Sequence, residues 1–146
     1  MTAPENHSPS NLSPTDGSCV CGQVRFRIAP PYRAFQYCHC SRCRKTSGSA
    51  HASNIFVPVE QFAWLAGQEQ VRRHELQTAR YYCTGFCAEC GSRLPWVTRN
   101  GKLMIVPAGA LDADPGERPS RNVHFASRAP WYTSCADLPT FDAEPR

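Results

Sequence analysis

The sequence predicts an all-β domain with little helix, on three observations. Short apolar runs recur between Gly and Pro breaks at intervals of about ten residues, the spacing of strands joined by tight turns. Val24, Phe26 and Ile28 alternate with Arg25 and Arg27, the period-two pattern of a strand with one buried face. Thirteen prolines scattered over 146 residues leave little room for long helices.

Taken along the chain, residues 1–16 carry Pro4, Pro9 and Pro14 among Ser, Asn and Thr. Leu12 is their only large apolar side chain after Met1, so a disordered tail is expected there. Strands are expected at Val24 to Ile28, Phe35 to Cys40, Ala52 to Val57, Val71 to Leu76, Ala79 to Phe86, Leu94 to Thr98 and Lys102 to Val106. Pro30-Pro31, Pro58, Gly67, Gly91 and Gly109 punctuate them, and Asn100-Gly101 between two apolar runs predicts a hairpin. The one short helix expected is Ser41 to Thr46, capped by Ser41 and stopped at Gly48. After Asp112 the chain turns Pro-, Asp- and Arg-rich around a compact island at Asn122 to Tyr132. The domain is expected over residues 17–133, with an extension over 134–146.

A hydrophobic content of 41% in 146 residues supports one core and hence one domain. Nine cysteines are too few for a disulfide-built mini-protein and too many for core filler, and an odd number cannot all pair. The segment MTAPENHSPSNLSPTD has neither the cationic start nor the apolar run of a secretory signal, so a reducing, cytoplasmic setting is expected. The longest stretch free of polar side chains, Leu103 to Leu111, is interrupted by Pro107 and Gly109 and falls well short of a membrane-crossing helix. No membrane partner is expected. Seven thiolates on two Zn²⁺ ions would bring the formal charge of +4 down to about +1, so overall charge does not argue for nucleic acid. Apart from Arg42 to Lys45 there is no basic stripe interleaved with aromatics.

Seven cysteines fall in three groups: Cys19-x-Cys21, Cys38-His39-Cys40-x-x-Cys43, and Cys87-x-x-Cys90 followed by Gly91. Residues i and i+2 of a strand share a face, and a Cys-x-x-Cys-Gly turn wraps backbone around an ion, so each outer pair is half of a tetrahedral site. Cys19, Cys21, Cys87 and Cys90 together satisfy a Cys₄ zinc site, the ordinary structural solution. Cys38, Cys40 and Cys43 supply three ligands and leave a fourth place open, as a catalytic zinc site does. His39, His51, His124 or Cys135 filling that place would make this site structural too, and spacing alone permits other partitions of the seven. A redox dithiol at Cys87 and Cys90 is disfavoured because Gly-Ser-Arg-Leu-Pro follows where a helix should start. An iron–sulfur cluster fits the spacing less well than zinc. Cys83 and Cys135 stand outside the groups and read as small buried hydrophobes.

With CVCGQVRF, CHCSRCRKTSG, FCAECGSRLPW, GALD and HFASRAPWY in this order, the chain resembles the glutathione-dependent formaldehyde-activating enzyme family, whose domain also occurs in centromere protein V. The likeness covers about residues 17 to 133 and leaves Cys83 and Cys135 outside the shared pattern. It implies a β-tent of stacked antiparallel sheets, a structural zinc on Cys19, Cys21, Cys87 and Cys90, and a catalytic zinc on Cys38, Cys40 and Cys43. It also implies a carbon–sulfur lyase type of activity, joining the thiol of glutathione, as cosubstrate, to formaldehyde or a related small aldehyde. Arg42, Arg44 and Lys45 would then attract the carboxylates of glutathione and offset the thiolate charge, or else form a solvated cluster. His39 is expected on the opposite face from the ligands, and His124, Trp131 and Tyr132 are expected to pack. Trp64 and Trp96 are expected in the core or on a sheet surface. The competing reading is a noncatalytic zinc-stabilised β module that binds a protein partner.

Overall fold

The computed structural model of the chain describes residues 12–145. Among the described residues eleven strands form three sheets. The first joins β1 (Thr15–Ser18), β2 (Arg25–Ile28) and β5 (Phe62–Ala66) in antiparallel order. The second has the order β11-β3-β4-β10-β9, from β3 (Ala34–Cys38), β4 (Ala52–Pro58), β9 (Trp96–Val97), β10 (Leu103–Pro107) and β11 (Arg121–Val123). Only the β11–β3 pair among them is parallel. The third is β6 (Val71–Glu75), β7 (Cys83–Cys87) and β8 (Arg93–Leu94). The α-helix, α1 (Ser41–Ser47), is confined to the link between β3 and β4. The all-β expectation therefore holds, and no described helix is long and apolar enough to cross a membrane.

One hydrophobic cluster draws on all three sheets: Phe26 and Ile28 from the first, Ile55, Val57 and Val106 from the second, Cys87 and Leu94 from the third. The alternation read in β2 is realised, with Phe26 and Ile28 enclosed and Arg25 and Arg27 in solvent. Phe26 stacks on Phe62 and meets Trp64 edge-on, which ties β2 to β5. Gly17 of β1 lies over the Phe26 ring, and a Cβ there would also stand 2.7 Å from the Ala110 carbonyl, so this close approach requires glycine. In β10, Met104, Ile105 and Val106 are all buried because the strand lies between β4 and β9 with both faces covered.

Several boundaries differ from the sequence reading. β1 begins at Thr15, inside the segment read as a tail, because backbone pairing with β2 orders residues that have no apolar pattern of their own. The rest of the segment expected to be a tail, residues 1–11, lies outside the described residues. Leu94 to Thr98 is two strands, since Pro95 has no N–H for a ladder: β8 pairs with β7, and beyond Pro95 the chain enters the second sheet as β9. β5 was missed because Phe-Ala-Trp-Leu-Ala does not alternate, and β11 because Arg-Asn-Val is mostly polar. The Asn100-Gly101 hairpin forms between β9 and β10, with Gly101 at φ 73°. Cys135 is exposed rather than buried, because it lies in the 3₁₀ turn Cys135–Asp137 beyond the last strand, whereas Cys83 is enclosed in β7.

Candidate metal sites

The first cysteine group is built where two sheets meet. Cys19 and Cys21 lie in the turn that follows β1, not on the strand itself. That turn is closed by the Gly22 N–H donating to the Cys19 carbonyl at 2.9 Å. Cys87 ends β7, and Gly91, at φ 74°, donates to the Cys87 carbonyl at 2.9 Å, curling the chain so that Cys90 returns beside Cys87. All four sulfurs lie within 4.8 Å of one another. Cys19 Sγ is 3.4 Å from Cys21 Sγ, and Cys21 Sγ is 3.9 Å from Cys87 Sγ. A tetrahedral zinc with bonds of about 2.3 Å separates its sulfurs by about 3.8 Å. The donor set fits.

The electrostatics point the same way. The Ser92 hydroxyl and backbone lower the Cys90 thiol to about 6. Burial opposes ionisation of Cys19, but the Val24 N–H and the neighbouring thiols outweigh it and lower its pKa. The Gln23 N–H favours the Cys21 thiolate, yet the Cys19 sulfur and burial push it up to about 12. Four sulfurs this close cannot all ionise without a cation between them, and a dication removes that conflict.

The second group sits on the β3–α1 junction. Cys38 ends β3, Cys40 is the N-cap of α1, and Cys43 lies in its first turn. The expected cap, Ser41, is displaced by Cys40, whose sulfur accepts from the Cys43 N–H at 3.4 Å. Gly48 ends the helix in the left-handed region, as expected. The three sulfurs again lie within 4.8 Å of one another, and among the described residues no further His, Cys, Asp or Glu donor joins them. A hydrogen bond from the Cys43 thiol, opposed by burial and aided by the Cys40 backbone, draws Cys38 down to about 5; its reciprocal effect raises Cys43.

The other residues singled out divide clearly. His39 is fully buried, with Nε2 2.9 Å from Asn122 Oδ1 and its ring edge-on to Phe125 and Tyr132. Its backbone N–H donates to Val123, which pins β11 beside the ligand loop. His51 stacks on Tyr37 at 4.1 Å between ring centroids. His124 is exposed and Trp131 stands in solvent, so of these three only Tyr132 packs as expected. Trp64 packs against the core, and the guanidinium of Arg93 lies over Trp96 at 5.1 Å. Arg42 and Lys45 are exposed and Arg44 is half-buried.

A cleft of about 380 Å³ lies between the two cysteine groups. Ser18, Val20 and Ser92 border it from the four-cysteine side, and Ser47, Ser49 and His51 from the three-cysteine side. Arg93 lines it as well; Arg42, Arg44 and Lys45 do not. Sequence reasoning missed Arg93 and the cleft, and the available signal was an arginine directly after the Cys-x-x-Cys-Gly-Ser turn.

Fold and site together define an all-β protein with two separate cysteine groups, each able to hold a metal ion. The chain belongs to the glutathione-dependent formaldehyde-activating enzyme family, whose model matches residues 14–127. It is 35% identical over 117 residues to a protein of Halomonas elongata named "putative glutathione-dependent formaldehyde-activating enzyme", covering 75% of this chain and 73% of that one. The crystal structure of a Rhodobacter sphaeroides protein is similar in fold, with a TM-score of 0.56 and 22% identity over 71% of this chain and 97% of that one.

Proposed function

We propose that the chain is a carbon–sulfur lyase-type enzyme that forms or breaks the adduct between a thiol and a small aldehyde, with glutathione and formaldehyde as the leading pair. In the forward direction the thiol sulfur bonds to the carbonyl carbon and the thiol proton ends on the carbonyl oxygen, so nothing is oxidised or reduced. The reverse step returns the proton to sulfur. The observation that carries this reading is the gathering of Cys38, Cys40 and Cys43 with no further donor among the described residues, which suits three protein ligands and a free place.

In this reading Cys19, Cys21, Cys87 and Cys90 hold a structural zinc, and Cys38, Cys40 and Cys43 hold a second. A zinc bound there would keep an incoming thiol ionised at neutral pH, where a free thiol is only a few per cent thiolate. Arg42, Arg44 and Lys45 offset the accumulated thiolate charge and draw anionic thiols toward the site. A reducing compartment such as the cytoplasm keeps all seven sulfurs available as ligands.

X-ray absorption on zinc- or cobalt-loaded protein tests the reading. Adding glutathione should increase sulfur coordination at one of two metals, and serine at Cys38, Cys40 and Cys43 should remove both that change and one equivalent of metal. Two metals that stay fully coordinated and indifferent to thiols would instead favour a noncatalytic β module.

A further inference from the structure

The cleft beside the three-cysteine group contains a cation with no carboxylate partner among the described residues. Arg93 Nε and Nη1 are enclosed and have no hydrogen-bond partner, and among the described residues no carboxylate forms an ion pair with this side chain. Arg93 is itself a wall residue of the cleft. Stacking on Trp96 holds the guanidinium plane in place and compensates part of the lost hydration. Burial lowers its pKa, while the nearby Tyr82 and Cys43 sides support the cationic form. A half-buried guanidinium with two enclosed, unpaired nitrogens is stabilised when something anionic completes it.

The surroundings are shaped for a polar guest. His51 Nδ1 is also enclosed without a partner and lines the same cleft. Ser49, Ser53 and Asn54 add hydrogen-bonding groups to its wall. Ser47, another wall residue, donates to the Cys43 carbonyl at 2.7 Å, so the cleft abuts the helix that carries the third sulfur. The Tyr82 hydroxyl, 2.7 Å from Thr46 Oγ1, holds that helix in register with the Arg93 side of the cleft.

We propose that this cleft seats a carboxylate of the thiol substrate, with Arg93 as its anchor, so that the thiol end reaches the three-cysteine group. The assignment rests on the thiol–aldehyde reading for the identity of the guest, and it places the direct anion contact at Arg93, with Arg42, Arg44 and Lys45 acting only by longer-range attraction. It makes Arg93 a specificity-determining residue: it selects carboxylate-bearing thiols over neutral ones.

The test is binding of S-methylglutathione, which keeps both carboxylates but has no free thiol, to the zinc-loaded protein by isothermal titration calorimetry. Its dimethyl ester, which lacks both carboxylates and keeps the ammonium, is the comparison. The wild type is expected to prefer the diacid by about tenfold or more, the scale of one charge-assisted contact in a partly dehydrated site. Arg93→Gln should erase that preference. Arg93→Lys, which keeps charge but loses the planar fork, should weaken the diacid several-fold and leave the ester unchanged; this arm decides the matter if Arg93→Gln loses its zinc. Equal binding of diacid and ester to the wild type, binding of neither at millimolar concentration, or equal losses for both ligands in the Arg93→Lys protein would overturn the proposal. A wild type that binds the diacid through Arg93 yet does not accelerate adduct formation would refute the proposed reaction and leave the anion seat standing.

Discussion

Cys40 caps the helix that carries Cys43: its sulfur accepts the Cys43 N–H at 3.4 Å, so two members of one candidate ligand set also share a structural bond. Helix α1 has seven residues, too few to be stable alone, and depends on such terminal contacts. Its order and the placement of the sulfurs are therefore coupled.

This coupling separates two substitutions at one position. Cys40→Ser keeps a capping atom and should lose the second metal with little loss of stability, whereas Cys40→Ala should lose the metal and about a further 1 kcal/mol. Metal content and thermal unfolding of the two proteins, measured together, check this. Equal stability would show that the sulfur contributes nothing as a cap.

The four-cysteine group joins the turn after β1 to the end of β7, so its loss should be felt by the whole domain. Cys87→Ser, at a fully buried position, is expected to release one equivalent of metal and to destabilise the protein by several kcal/mol, about the scale at which structural zinc sites support small domains. A chelator should reproduce the effect in the unsubstituted protein. An unchanged melting temperature after metal removal would contradict the assignment.

Phe26 is the aromatic centre of the core, fully enclosed and in contact with Phe62 and Trp64. Phe26→Ala should cost about 3–5 kcal/mol through lost burial and the cavity left behind. Chemical denaturation is the readout, and a loss below about 1 kcal/mol would mean that the neighbours collapse into the gap.

Asn122 pairs with Nε2 of the enclosed His39 ring, which stands between two candidate ligand cysteines. Asn122→Leu should cost about 1–3 kcal/mol by leaving a buried nitrogen unpaired. It should also loosen the second metal while sparing the first. Competitive chelation, resolving two release phases, distinguishes the sites; parallel weakening of both would count against a local role.

Acid should weaken the β1–β2 pairing. Arg27 grips the Asp16 carboxylate across the pair, chiefly by hydrogen bonding, and holds its pKa below the ordinary value of 3.8. The folded value is the depressed one, so the contribution is complete above the unfolded pKa and disappears as pH falls through the folded one. Asp16→Asn should therefore be less stable than the parent near neutrality, with the difference closing below about pH 4. A difference that is constant with pH would exclude the ion pair as its source.

Much of this architecture is visible in local sequence. The alternation at Val24 to Ile28 appears in β2 because a strand's two faces are decided by consecutive side chains. Asn100-Gly101 forms its hairpin and Gly48 stops its helix because both rely on backbone conformations that glycine adopts most readily. The metal-site candidates, too, were legible as cysteine spacing, since each pair is brought together by a single turn. By contrast, β1 and β11 were invisible because their residues are ordered by hydrogen bonds to β2 and β3, not by an apolar face.

What the polypeptide determines by itself is thus the all-β character, the three cysteine groups and their suitability for two ions. The tertiary structure alone decides the partition. Cys21 and Cys87 are 66 residues apart in sequence and 3.9 Å apart in space, a meeting that depends on how β1 and β7 are held by different sheets. It alone also places Arg93 in the cleft, because the change of sheet at Pro95 carries that side chain onto Trp96. Contacts within one turn are properties of a short segment, whereas contacts between sheets depend on the register of every strand between them.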